Sequence, residues 1–352
     1  MVGEVWDLIV VGAGPSGLWL AKRASEEGLR VLVLEEDWEI GLPVRCTGLL
    51  GSEVHSFLDE VPGELRRFGN MLVCREGDCV ELEIDSVLVE RSLFDKGLAS
   101  MAASEGASIL LRTRALGLRG NSVITNRGSF SAPFVALAEG ALGGLSRRYI
   151  GHGGDFVMGM EGILAERPES EDVKVDVTDR RAFFRWSVPL DRAKKEGFVS
   201  RPGTFSGLSS ELLARKDLLA VRSGPIPVGP PRGRPIRRSV AAVGDAAYTV
   251  KASSFGGILL GMRSSECLLS HLLGEEDFSA CMARLYSELR KVRVVAGAVH
   301  RLLDAGIWPR WLPRVRLMAE DPVGAAWEVF KRRPLRAAAT ALVGALLYLL
   351  RK

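Results

Sequence analysis

Glutamine does not occur in this chain of 352 residues, and asparagine occurs three times, at positions 70, 121 and 126. Depletion of these thermolabile amides is a mark of heat-adapted proteins. The excess of arginine over lysine, 37 to 10, is not, and follows base composition instead. Cysteine is sparse as well: of the five residues (46, 74, 79, 267 and 281), Cys74 and Cys79 alone stand close together. A zinc site of the paired-cysteine kind needs a matching second pair, which is missing, so no metal is expected. A hairpin disulfide between Cys74 and Cys79 stays open, conditional on a host that keeps disulfides inside the cell. The four histidines (55, 152, 271 and 300) fall in no ligand or catalytic spacing. The apolar stretch Ala337–Leu350 is also short: as a helix it would span about 21 Å against the roughly 30 Å of a hydrocarbon core, which excludes a full crossing. No secretory leader precedes the first strand, so the expected location is the cytoplasm.

Charge is not strongly one-signed overall, but it is unevenly placed. Residues 291–352 carry 12 Lys or Arg against 4 acids, whereas residues 1–290 carry 35 against 39. The basic segment includes Lys331-Arg332-Arg333 and lies beside Trp308, Trp311 and the apolar C-terminus. An anionic membrane surface, at the inner face of the cell membrane, is therefore the expected partner rather than nucleic acid. With 47% apolar and 26% charged residues, the chain is long enough and apolar enough for two folded domains.

The most informative stretch present is Asp7-Leu8-Ile9-Val10-Val11-Gly12-Ala13-Gly14-Pro15-Ser16-Gly17, a buried strand running into a glycine-rich turn that opens a helix. Gly12 permits the tight turn, Gly14 lets backbone N–H groups approach a pyrophosphate, and Gly17 lets the helix pack closely on its strand. A second apolar strand, Val31–Leu34, follows and ends on Glu35, whose carboxylate can accept hydrogen bonds from ribose hydroxyls. The unit reads as βαβ with a dinucleotide cradle.

Beyond Glu35, the loop 40–48 holds proline and glycine and precludes a regular element. A helix is expected over Val54–Phe68, then a hairpin of Met71–Cys74 and Val80–Ile84 about residues 75–78. The chain returns through Val87–Asp95, and from there a helix runs to about Glu105, followed by strands near Ser108–Leu111, Val123–Thr125 and Phe134–Ala138, the last closing on Glu139-Gly140. Strand-like runs at Phe156–Ala165, Val173–Val177, Ala182–Val188 and Gly197–Ser200 suggest an antiparallel sheet. The passage Pro225–Pro235 reads as a connection back to the nucleotide domain, since proline cannot donate to a sheet ladder. It leads to the strand Ser239–Val243, which ends on Gly244-Asp245-Ala246-Ala247, and to helices over Ile258–Leu273 and about 279–303.

The order of the glycine turn with Glu35, Arg91-x-x-Phe94-Asp95, Glu139-Gly140 and Gly244-Asp245 resembles the FAD-dependent oxidoreductases of the aromatic-hydroxylase fold. Within that fold, Pro43-Val44-Arg45-Cys46-Thr47-Gly48 is similar to the P-V-x-C-G loop of the geranylgeranyl reductase family. Phe184-Arg185-Trp186-Ser187-Val188-Pro189 is similar to its Y-x-W-x-F-P motif. The likeness spans roughly residues 5–290. It departs from the family pattern at Thr47, Phe184, Val188, Ala252 and Phe255, the last standing where a first glycine would precede Gly256-Gly257.

The resemblance implies an α/β fold: a Rossmann-like FAD-binding domain with an inserted antiparallel-sheet substrate domain and a C-terminal helical region. The implied division is 1–70, 86–150 and 236–275 for FAD, 71–85 and 151–235 for the substrate sheet, and 276–352 for the C-terminal region. FAD contacts are implied at Gly12, Gly14, Pro15, Ser16, Gly17, Glu35, Arg45, Cys46, Arg91, Gly140, Gly244, Asp245, Gly256, Gly257 and Ile258. The implied activity is saturation of isoprenoid double bonds in a membrane lipid or related polyprenyl substrate. Cys46 is the candidate proton donor, and Trp186 and Phe184, with Phe183, are candidate walls of an apolar site that shields developing positive charge from water. A monooxygenase of the same fold and a membrane-associated electron-transfer flavoprotein remain alternatives. With no second G-x-G-x-x-G, the electron donor is open between NAD(P)H and reduced ferredoxin.

Overall fold

The structure is a computed structural model and describes residues 5–304. The basic, tryptophan-bearing C-terminal segment and the Ala337–Leu350 helix expected from sequence lie outside these residues. In chain order the elements are β1 (Leu8–Val11), α1 (Pro15–Glu26), β2 (Val31–Leu34), β3 (Leu49–Gly51), β4 (Glu64–Arg75), β5 (Asp78–Val89), α2 (Arg91–Ser104) and β6 (Ser108–Leu110). Next come β7 (Ala115–Arg119), β8 (Ser122–Thr125), β9 (Gly128–Ser131), β10 (Phe134–Leu137), β11 (Gly153–Leu164), β12 (Val173–Asp176), β13 (Ala182–Pro189) and β14 (Lys194–Ser200). The chain continues through α3 (Pro202–Leu213), β15 (Leu218–Arg232), β16 (Ile236–Arg237), β17 (Val240–Ala242), α4 (Ile258–Leu272) and α5 (Phe278–Asp304).

Uninterrupted apolar runs such as Leu8–Val11 and Val31–Leu34 are buried on both faces, as strands of a covered parallel sheet must be. They build a six-stranded sheet in the order β16-β17-β10-β1-β2-β6, parallel except for the edge pair β16/β17. From β1 the chain moves outward to β2 on one side, and β10 later fills the other. The β1/β10 boundary is therefore the topological switch point, where open α/β sheets bind ligands beyond the carboxyl ends of their strands.

A second sheet of eight strands, ordered β15-β11-β14-β13-β12-β4-β5-β3, is antiparallel apart from the β12/β4 pair. Its outer face packs Met160, Leu164 and Phe198 under Leu208 and Leu212 of α3. Its inner face turns Phe184, Trp186, Val199 and Ile226 toward the six-stranded sheet. A three-stranded sheet, β7-β8-β9, stands apart.

Two expectations fail for identifiable reasons. Residues 54–68 are not a helix: a short 3₁₀ turn over Ser52–Ser56 is followed by β4 from Glu64. Pro62 would lose a helical hydrogen bond, and Gly63 at φ 68° reverses the chain into the strand. Pro225–Pro235 is not merely a connection either. Most of it belongs to β15, which pairs with β11 alone and forms the sheet's edge, where a missing N–H goes unnoticed. The hairpin at 75–78 is present with longer arms than expected, and α3, β7 and β9 are additions. Cys74 and Cys79 are directly opposite in β4 and β5 and are disulfide-bonded. A second disulfide, Cys267–Cys281, ties α4 to α5.

Candidate active site

A cavity of about 800 Å³ lies between the carboxyl ends of β1 and β10 and the inner face of the eight-stranded sheet. The glycine turn forms one end. Gly12 has φ 105°, and a Cβ there would sit 2.4 Å from the Ala138 carbonyl oxygen; one at Gly17 would sit 2.1 Å from that of Gly12. A Cβ at Gly14 would meet no protein atom within 4 Å, although Gly14 lines the cavity. The open space beside it faces the start of α1, which has no side-chain cap and no acid in its first turn. Such an end offers free N–H groups and positive partial charge to a phosphate. Glu35 Oε2 accepts from Ala13 N at 2.6 Å and Oε1 from Asp37 N at 2.9 Å, which fixes the carboxylate while each oxygen keeps a further lone pair. These features fit a dinucleotide.

Of the remaining residues singled out for the cofactor, Pro15, Arg45, Cys46, Arg91, Gly140, Asp245, Gly256, Gly257 and Ile258 also line the cavity, which runs on past Phe184 and Trp186. Ser16, Gly17 and Gly244 do not. Ser16 turns toward Gly244 and Gly261 of α4, and its carbonyl accepts from Ser265 Oγ at 2.7 Å. These three serve helix-on-sheet packing beneath the cradle. Phe183 also lies off the cavity. Glu139 spends its carboxylate on the N–H groups of Leu145 and Ser146, at 3.1 and 2.6 Å.

Burial and neighbouring charge shift several ionisable groups of the site. The Asp245 carboxyl borders the cavity but is otherwise enclosed by protein, and this burial pushes its pKa up to about 6 against the pull of Arg91. Burial also works against the charge on Arg91. The Asp95 carboxylate, with both oxygens 3.0 Å from Nη2, and the adjacent Cys46 outweigh it, so Arg91 holds its proton more tightly than a free guanidinium. The Cys46 thiol is free and half-buried, and Sγ accepts from Gly48 N at 3.4 Å.

The structure adds a polar cluster that motif reasoning did not find. Glu161 on β11 is buried in the wall beside Trp186. Its Oε2 accepts from Thr47 Oγ1 at 2.5 Å and from the Trp186 indole at 3.2 Å. Lys195 on β14, buried as well, donates to the Thr47 carbonyl at 2.6 Å. Burial lowers the Lys195 pKa, opposed by Glu161. Arg222 Nη1 lies 3.8 Å from Glu161 Oε1. The residue after Cys46 is thus held from two neighbouring strands, and the same carboxylate orients Trp186. A lone acid in the apolar run Met158-Gly159-Met160-Glu161-Gly162-Ile163 was the available signal.

Comparison with known proteins bears on the class. The description of NAD(P)-binding Rossmann-like domains matches residues 10–55. A geranylgeranyl bacteriochlorophyll reductase-like protein from Thermoplasma acidophilum superposes with a TM-score of 0.77 at 18% identity, covering 94% of this chain and 97% of that one. A probable FAD-dependent monooxygenase from Pseudomonas aeruginosa superposes at 0.67 and 19% identity, covering 86% and 99%. The fold is that of the FAD-dependent oxidoreductases. In sequence, the digeranylgeranylglycerophospholipid reductase of Methanococcus vannielii is 28% identical over 321 residues, 81% of this chain and 80% of that protein. The chain is thus similar over most of its length to the reductases of geranylgeranyl lipids, from which it diverges.

Proposed function

We propose that the protein binds FAD and reduces the double bonds of geranylgeranyl chains carried by a glycerophospholipid or related polar lipid. The observation that carries this reading is one continuous cavity with a dinucleotide cradle at one end and an aromatic, apolar sheet face at the other. Gly14, the start of α1, Glu35 and Asp245 would hold the cofactor through its phosphates and hydroxyls. FAD, when bound and reduced by an external electron donor, would supply the hydride.

The protein's own contribution is the dry wall and the proton. Val173, Val175, Phe184, Trp186 and Val188 line the sheet side of the cavity, where they would exclude water from the carbon that becomes electron-poor as the alkene is protonated. The aromatic faces stabilise developing positive charge by about 0.5–2 kcal/mol. Cys46 holds a transferable proton at Sγ in a loop fixed by Glu161 and Lys195 through Thr47. No described helix is long and apolar enough to cross a membrane. Delivery to lipid is assigned to the basic, apolar segment 334–352, on its sequence alone. Mass spectrometry of lipid copurifying with the protein tests the substrate class: a polyprenyl chain supports it, and a chain-free aromatic ligand with NAD(P)H-linked oxygen uptake would point to a monooxygenase.

A further inference from the structure

Phe255 has φ 56°, in the left-handed region that disfavours residues with a Cβ. The residue sits in a turn closed by hydrogen bonds from Phe255 N to the Lys251 carbonyl and from Lys251 N to the Gly256 carbonyl, both 3.1 Å. This turn delivers Gly256 and Gly257 to the cavity wall. A bulky side chain persists in such a conformation only where its surroundings hold it, and such outliers gather at functional sites.

The ring of Phe255 reaches across to the substrate sheet. It stacks on Phe184 at 5.8 Å with an interplanar angle of 26°, and meets Phe183 at 5.3 Å. Phe184 and Phe255 line the cavity and Phe183 does not. Behind the stack, Phe183 contacts His300 of α5 at 5.3 Å and lies under the Arg201 guanidinium at 5.2 Å. The Phe184–Phe255 pair is therefore the partition between the cavity and an aromatic layer reaching α5. Removal of one ring would extend the cavity into that layer.

We propose that Phe255 is the end wall of the chain site and sets the length of polyprenyl chain that the protein accepts. The proposal rests on the reductase reading above and adds a specificity-determining residue to it. Glycine and asparagine both tolerate positive φ, so Phe255→Gly and Phe255→Asn delete the ring without straining the turn. Phe255→Leu keeps apolar bulk.

The test is calorimetric binding of farnesyl, geranylgeranyl and geranylfarnesyl monophosphates to the full-length, flavin-loaded protein and its three variants. Each variant is first matched to wild type for flavin content and melting. Wild type should show a break in affinity along the series on the order of tenfold or more, because a pocket already filled rejects added apolar volume. Phe255→Gly and Phe255→Asn should move the break to a chain at least one isoprene unit longer, and Phe255→Leu should leave it in place. An unmoved break in whichever ring-deleted variant folds would overturn the proposal and leave the reductase reading intact. Failure of every chain to bind wild type would overturn both.

Discussion

The three glycines of the cradle should separate cleanly into one that serves the ligand and two that serve the fold. Gly14 has φ −80° and ψ 177°, a backbone that any residue adopts, and a side chain there would enter open cavity. Gly14→Val should thus cost the flavin-free protein about 1 kcal/mol, from a poorer start to α1. The same side chain occupies the approach to the uncapped helix end, so FAD affinity should fall by about a hundredfold or more, or about 2.7 kcal/mol. Gly17→Ala is the reverse. Its methyl would lie 2.1 Å from a backbone oxygen that cannot rotate away, and overpacking of this kind costs about 3 kcal/mol. The assay has two readouts: flavin retained after gel filtration, and melting of the flavin-free protein, where about 3 kcal/mol corresponds to roughly 6–12 °C. Gly14→Val with wild-type flavin content would refute the cradle. Gly17→Ala with unchanged melting would refute the packing argument.

Asp245 predicts a pH signature. Its raised pKa means that the folded, flavin-free protein binds more protons than the unfolded chain between pH 3.8 and about 6. This contribution is full below that window and is lost as pH rises through it, up to about 3 kcal/mol in total. Urea titrations at pH 4.5 and 7 should show a smaller difference for Asp245→Asn than for wild type; equal differences would contradict the assignment. Removal of Glu161 leaves Lys195 and Arg222 without their buried acid, so Glu161→Ala should destabilise by about 3–5 kcal/mol, measurable by the same titration. Reduction of Cys267–Cys281, which closes a loop of 14 residues in sequence, should cost about 3 kcal/mol, read as a lower melting temperature in dithiothreitol. Cys46→Ala should slow alkene reduction in a single turnover far more than it slows flavin reduction. Equal losses in both steps would mark Cys46 as a packing residue.

Much of the fold was legible because its signals are local. Four-residue apolar runs, glycines at fixed offsets and a strand-end acid need only their neighbours to be interpreted, and β1, α1, β2 and β10 stand where periodicity puts them. Residues 54–68 show the limit: apolar spacing suggested a helix, and Pro62-Gly63 should have outweighed it. The prolines of β15 mislead for another reason, since whether a strand lies at a sheet edge is a property of the assembled sheet. The site divides the same way. Gly12, Gly14, Glu35 and Asp245 come from motifs with their own geometry, whereas Glu161, Lys195 and Thr47 meet only because β11, β14 and the loop after β2 converge. Spacing along the chain carries no trace of that meeting. The strain at Phe255 is likewise a backbone fact, although its neighbours Gly256 and Gly257 marked the turn as one that favours residues without a side chain.

The central claim is that this cavity saturates polyprenyl chains. It is tested most directly by incubating the dithionite-reduced protein, without oxygen, with a digeranylgeranyl glycerophospholipid and weighing the lipid. The account predicts a gain of about two mass units for every bond reduced, lost on chemical bleaching of the flavin and diminished in Trp186→Ala. A lipid of unchanged mass, recovered from protein whose flavin is demonstrably bound and reduced, would contradict it.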